Sequence, residues 1–188
     1  EEIQALDNMS INTASMVNEI HSSGYGLNER TGIDFFVERP FVLNSLGNFD
    51  ANGDGTFEES RIFRVTGTHS LEPNGQVGLE GTMTLPGPEG TIDVPYRPTD
   101  TVSDIITRIN QSSAEVVARL NRSGQLTIKG TPAERMENPD FVIRSLEDSG
   151  QFLAGYSGVL ADTGADGAYN WQQADAVLDL RGGGTDEG

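Results

Sequence analysis

The chain has 188 residues, of which 12 are basic and 29 acidic, giving a net charge of −17 and a pI near 4.2. That length fits one or two compact units, and that charge excludes a nucleic-acid binder or a protein docked on anionic lipid, because both need clustered Lys and Arg. Cysteine is absent, which excludes disulfides, thiolate metal sites and thiol nucleophiles together.

Residues 3–21 read as a helix. Ile3, Leu6, Met9, Thr13, Met16, Val17 and Ile20 recur at three- and four-residue steps, leaving Gln4, Asn8, Asn12 and Asn18 outside the stripe. Ser22-Ser23-Gly24 stops it. The stripe is narrow and heptad-like, so its partner is expected in sequence beyond one end of this chain, which reads as a piece of a longer protein. From Gly24 onward, short apolar runs punctuated by Gly, Pro, Asn and Asp indicate strands and turns. Candidate strands are 61–66, 76–79, 82–85 and 91–96, the last suited to a sheet edge because Pro95 lacks an N–H for the ladder.

Residues 90–130 are the most legible. Thr101 and Asp104 have the spacing of a capping box, with Asp in place of the usual Glu or Gln. Val102, Ile105, Ile106 and Ile109 then fall at i, i+3, i+4 and i+7, one apolar face of a short amphipathic helix. Ser112-Ser113 break it, Val116, Ala118 and Leu120 alternate as a strand, Asn121-Arg122-Ser123-Gly124 turn, and Leu126 and Ile128 return on the same face. Strand, helix and hairpin form a layered unit in which the four helix side chains cover a sheet. Further on, Phe141–Ser145 alternate as a strand, 151–160 are compatible with helix or strand, and 174–180 resume an apolar pattern that suits pairing near the entry strand. The fold class expected is α+β and strand-rich, with one short amphipathic helix packed on a β-hairpin and an N-terminal rod-helix segment ahead of it.

Gly90-Thr91-Ile92-Asp93-Val94, Thr101 to Asn110, Val116 to Leu120 and Gly124 to Ile128 together resemble the flagellin IN motif, a repeat of the variable outer domains of flagellins and hook-associated proteins. Ser15-Met16-Val17-Asn18-Glu19-Ile20-His21, with Gly24 to Asn28 and Thr31 to Phe36, resemble the end of the rod helix and the exit loop of the hook-associated family. The resemblance implies a non-enzymatic structural subunit of the bacterial flagellum at the hook–filament junction. It implies export without a cleavable signal peptide, an extracellular or periplasmic location, and assembly with the hook protein, the second junction protein and copies of itself. Residues 1–24 are then the C-terminal part of a rod helix, 25–181 an outward-facing central domain containing the IN-type unit 90–130, and 182–188 a Gly-rich tail or linker. With the assembling ends missing, this piece is expected to be monomeric in dilute solution. Neither nucleic acid nor membrane is an expected partner.

One segment points to metal chemistry. Asp50-Ala51-Asn52-Gly53-Asp54-Gly55-Thr56-Phe57-Glu58 resembles the calcium loop of EF-hands and dockerins: oxygens at positions one, three and five, Gly at six, and a backbone carbonyl from Thr56. Position twelve, where a bidentate carboxylate belongs, is Arg61, leaving Glu58 or Glu59 to substitute. Two readings stand, a structural calcium held by Asp50, Asn52, Asp54, Thr56 and Glu58, and a plain turn that caps its own backbone. A calcium-stabilised adhesion or binding module is therefore the competing class. The acidic pairs Glu58/Glu59 and Asp162/Asp166 have the composition of a glycosidase pair but read as solvated surface in so acidic a chain. His21 suits a helix C-terminus, His69 has no nucleophile in its own motif, and Trp171 reads as a core or an interface anchor.

Overall fold

The computed structural model describes residues 47–181 throughout and, before them, positions 6, 9, 10, 13, 14, 16–18, 20, 21, 35 and 36. The chain divides into two compact units, Glu1–Phe41 and Val42–Gly188. The rod-helix reading of residues 1–24 falls only in part on described positions, and the tail reading of 182–188 lies outside them.

In the first unit every described position from 6 to 21 is helical. Leu6, Met9, Met16 and Ile20 are exposed. Asn18, placed outside the stripe by its spacing, is instead buried. Its Nδ2 donates to the Phe36 carbonyl at 2.9 Å and its Oδ1 accepts the Phe36 N–H at 2.7 Å, so the amide satisfies loop backbone that helix periodicity cannot reveal. His21 meets the Phe35 ring edge-on at 5.4 Å.

The second unit is strand-rich α+β, as its sequence patterning implies. Among its described residues the strands are β1 (Arg64–Ser70), β2 (Gly81–Gly87), β3 (Gly90–Tyr96), β4 (Val116–Leu120), β5 (Gln125–Gly130), β6 (Ser145–Asp148) and β7 (Tyr169–Asn170), with one α-helix, α1 (Val102–Gln111), between β3 and β4. They form two antiparallel sheets, ordered β1-β5-β4 and β3-β2-β6-β7. β3 lies at an edge, where Pro95 removes no ladder bond from a central strand. A single apolar core joins both sheets and α1, running from Met83, Leu85, Val94 and Tyr96 through Ile105 and Ile109 to Ala118, Leu126 and Ile128.

Several elements differ from the sequence expectation. The first strand begins at Arg64, because Ile62 pairs singly with Ile143 before β1 engages β5. Residues 76–79 form no strand: Val77 and Gly78 donate to the Asp100 and Pro98 carbonyls, and Gly78, at φ +65°, turns the chain away. The strand expected over 141–145 begins at Ser145, since Phe141 sits at φ +61° and breaks the extended run. Residues 152–156 make a π-helical turn fixed from outside by Asp148, whose carboxylate accepts the N–H groups of Gly150 and Leu153 at 2.9 and 2.7 Å. Residues 174–179 form a 3-10 helix, and Leu180 bridges Leu160 rather than the entry strand.

Candidate functional site

The strand-helix-hairpin unit is built from its local signals upward. Thr101 Oγ1 accepts the Asp104 N–H at 3.1 Å while Asp104 Oδ2 accepts the Thr101 N–H at 2.9 Å, closing the capping box. These bonds hold the Asp104 carboxyl below the usual carboxylate range, the Thr101 backbone N–H contributing most. Arg108, a turn further on, reaches back to Asp100 at 2.7 Å and to the Pro95 carbonyl at 2.6 Å, tying the helix to β3 and holding Asp100 low as well. Val102, Ile105 and Ile109 are fully buried, and Ile106 is partly buried against the same core. The entry strand β3 and the hairpin β4–β5 belong to different sheets, so α1 bridges the two.

The hairpin turn is set by Asn121, whose Oδ1 accepts the N–H groups of Ser123 and Gln125, with Gly124 at φ +75°. On the outer edge of β4, Asn110 at the end of α1 donates to the Ala118 carbonyl and accepts the Ala118 N–H, both at 2.8 Å. The carboxamide thus occupies the place a further strand would take. No sequence pattern singles out Asn110, because its partner is fixed only once the hairpin has packed. The same is true of the buried Glu115–Arg144 ion pair, in which Glu115 also accepts the Glu134 N–H and Arg144 donates to the Gly87 carbonyl.

The acidic loop projects from the opposite part of the sequence. The backbones of Phe49 and Glu59 close it. Asp50 accepts from the N–H groups of Gly53 and Gly55 at 2.6 and 2.8 Å, Asn52 Oδ1 from Asp54, and Asp54 Oδ1 from Thr56, both at 2.8 Å. The Thr56 N–H is the main cause of an Asp54 carboxyl held below its ordinary value. Gly53 and Gly55, at φ +81° and +92°, supply the left-handed backbone the winding needs. Glu58 folds across the loop, accepting from the Ala51 N–H and the Asn52 amide, each at 2.9 Å. The Asp50, Asp54 and Glu58 carboxylates offer oxygens within 4.8 Å of one another.

This is a hard-oxygen donor set of the kind calcium takes, and the sequence departure at position twelve has a structural explanation. Arg61 is committed elsewhere: its guanidinium lies 3.2 Å from the Phe49 ring centroid and 5.3 Å from that of Trp171, and pairs with Glu59 at 2.8 Å. Glu59 is thereby drawn to Arg61, while Glu58 is the residue brought to the loop. Trp171 packs partly buried against the core.

The pairs considered for hydrolysis are dispersed into such local roles, Asp162 capping the Thr163 N–H. His69 Nδ1 lies 3.0 Å from the Tyr156 carbonyl, which can only accept, so that nitrogen carries the proton. The buried phenol of Tyr96 donates to Asp148, and burial raises its pKa well above the ordinary tyrosine value. Each of these groups has a hydrogen-bond partner within the chain.

No curated protein and no solved structure matches the chain. Residues 82–131 match the model of the flagellin hook IN motif, a span that begins within β2, upstream of the unit legible at 90–130, and ends just past β5. The strand-helix-hairpin unit is therefore similar to a segment of flagellar structural proteins.

Proposed function

We propose that this chain is the central, outward-facing part of the first hook-associated protein, a non-enzymatic subunit that acts by assembly at the junction of hook and filament. The single observation that carries the reading is the coincidence of the flagellin hook IN motif at residues 82–131 with a unit whose helix face is spent on packing, Val102, Ile105 and Ile109 being fully buried. A face of that kind builds a rigid body and lines no reactive cleft. Residues 1–24 are then the C-terminal part of a rod helix, 25–181 the outward domain, and 182–188 a Gly-rich tail or linker. The partners are the hook protein, the second junction protein and further copies, met outside the cell after export of the unfolded chain. Deleting the gene in its own organism tests this: cells that keep hooks but shed filament subunits into the medium support the junction role, and cells with normal filaments contradict it.

The clustering of the Asp50, Asp54 and Glu58 oxygens favours one addition. In it Asp50, Asn52, Asp54, Thr56 and Glu58 hold a structural calcium, which neutralises carboxylate repulsion and staples an exposed loop. The adhesion-module reading shares this loop and differs in lacking any place in the flagellum, so the deletion phenotype separates the two.

A further inference from the structure

Two Asn-Gly pairs occur in the chain, Asn52-Gly53 and Asn74-Gly75. Such a dipeptide carries a latent reaction. The Gly backbone nitrogen, once deprotonated, can attack the Asn Cγ, and the missing Gly side chain leaves the approach open. The fold holds the two pairs in opposite states. Asn52 is clasped at both ends of its amide, Oδ1 accepting the Asp54 N–H at 2.8 Å and Nδ2 donating to Glu58 Oε1 at 2.9 Å, while the Gly53 N–H donates to Asp50 Oδ1 at 2.6 Å. Asn74 is exposed, and among the described residues its carboxamide has no hydrogen-bond partner. It stands third in the turn Glu72-Pro73-Asn74-Gly75, which is closed by a single bond from the Gly75 N–H to the Glu72 carbonyl at 3.0 Å.

The same turn caps α1. The Pro73 and Gly75 carbonyls, on either side of Asn74, accept the N–H groups of Ser103 and Val102 at 2.9 and 3.3 Å. Together with Thr101 Oγ1 on the Asp104 N–H, they satisfy donors that a helix leaves open at its start. Gln76 then bridges Thr101. The chain length between the Pro73 and Gly75 carbonyls is therefore matched to the helix they cap.

We infer that Asn74 is a site of selective, spontaneous deamidation, and that its isoaspartyl product loosens the cap of α1. The inference is independent of the assembly reading, since it uses only bonds within this chain. In the first step the Gly75 nitrogen bonds to the Asn74 Cγ and the Cγ–Nδ2 bond breaks. Ammonia leaves with the proton that the Gly75 nitrogen gave up, and a cyclic imide remains. Water then opens the imide. Opening at Cγ gives Asp on an unchanged backbone, whereas opening at the main-chain carbonyl gives isoaspartate, whose backbone runs through Cβ and Cγ and is one atom longer. Both products add a carboxylate, which the N-terminal end of a helix tolerates well. Only isoaspartate changes the spacing of the two capping carbonyls.

The test is incubation of the whole chain in warm, mildly alkaline buffer made with heavy-oxygen water, then digestion in acid and mass spectrometry of the peptides carrying each Asn. Label in the new carboxylate marks conversion that preceded digestion. In the folded chain Asn74 is expected to convert about tenfold faster than Asn52 or more, the factor set by opening the additional ordinary hydrogen bonds that hold Asn52. In guanidinium, where those bonds are lost, the two rates should converge. The isoaspartyl chain, separated by chromatography, should melt below the fresh protein, and a freshly prepared Asn74→Asp variant should melt close to it. Asn74→Gln, incubated alike, should keep its melting temperature.

Conversion at Asn52 as fast as at Asn74 in the folded chain, a rate gap that persists in guanidinium, or an isoaspartyl form that melts with the unmodified protein would each overturn the inference. An equal loss of melting temperature in incubated Asn74→Gln would overturn it too, by assigning the damage to another position.

Discussion

The carboxamide of Asn110 holds both the N–H and the C=O of Ala118, at 2.8 Å each, and so closes the outer edge of β4 with a side chain from the preceding helix. An exposed strand edge is a template for unwanted pairing, and here one residue blocks it at mid-strand. Asn110→Ala removes two hydrogen bonds and reopens the edge. The expected loss is about 1–3 kcal/mol from two net bonds of ordinary strength, read by urea unfolding, with a rise in aggregation. Asn110→Asp keeps an acceptor for the Ala118 N–H but sets a carboxylate against its carbonyl, and should recover little. A stable, monomeric Asn110→Ala would show that something else guards β4.

The helix face makes a graded prediction. Ile105 is fully buried and Ile106 only partly. Ile105→Ala should cost about 2–5 kcal/mol, as large-to-small core changes do, and Ile106→Ala distinctly less. Denaturant titration of the two variants checks the order. The reverse order would mean that α1 is rotated about its axis relative to the packing described.

The acid range follows from Asp100 and Asp104, both held below the usual carboxylate value, the first chiefly by Arg108 and the second by Thr101. A carboxyl with a lower pKa in the folded state binds protons preferentially when unfolded. Its contribution is therefore fully present above the unfolded value, near 4, and is lost as pH falls through the folded one. Asp179, raised by burial and by Asp175, has the opposite sign and gives some stability back on acidification. Melting temperature should thus fall as pH drops below about 4, less steeply in the Asp100→Asn, Asp104→Asn double variant, which starts lower. An identical slope in that variant would assign acid sensitivity to other carboxylates.

For the acidic loop, the calcium reading expects a melting midpoint that rises with added calcium, returns with chelator, and no longer responds in Asp54→Asn, Glu58→Gln. The midpoint should respond to magnesium less, because magnesium demands near-ideal octahedral geometry and sheds water reluctantly. An unchanged midpoint leaves the plain turn, in which Asp50, Asn52 and Asp54 cap backbone N–H groups on their own.

What the sequence made legible was local. The capping box, the i, i+3, i+4, i+7 aliphatic stripe and the Asn-Arg-Ser-Gly turn each act within a few residues, and they locate α1 and the β4–β5 hairpin where the structure has them. What it hid was set by partners distant in sequence. Asp148 reaches forward to wind residues 152–156 into a π-helical turn, a conformation no periodicity encodes. Asn18, Asn48 and Asn110 each clasp the N–H and C=O of one residue elsewhere, Phe36, Arg61 and Ala118. Asn is ordinarily read as a turn or surface residue, so these clasps carry no local signal. The acidic loop was legible as a winding of Asp, Asn and Gly, whereas the engagement of Arg61 with Phe49 and Trp171 required the fold.

The most direct measurement on the central claim is immunogold electron microscopy of whole cells, with antibody raised against this chain. The account predicts gold confined to the point where hook meets filament. Gold spread over the cell envelope, with flagella bare, would contradict it.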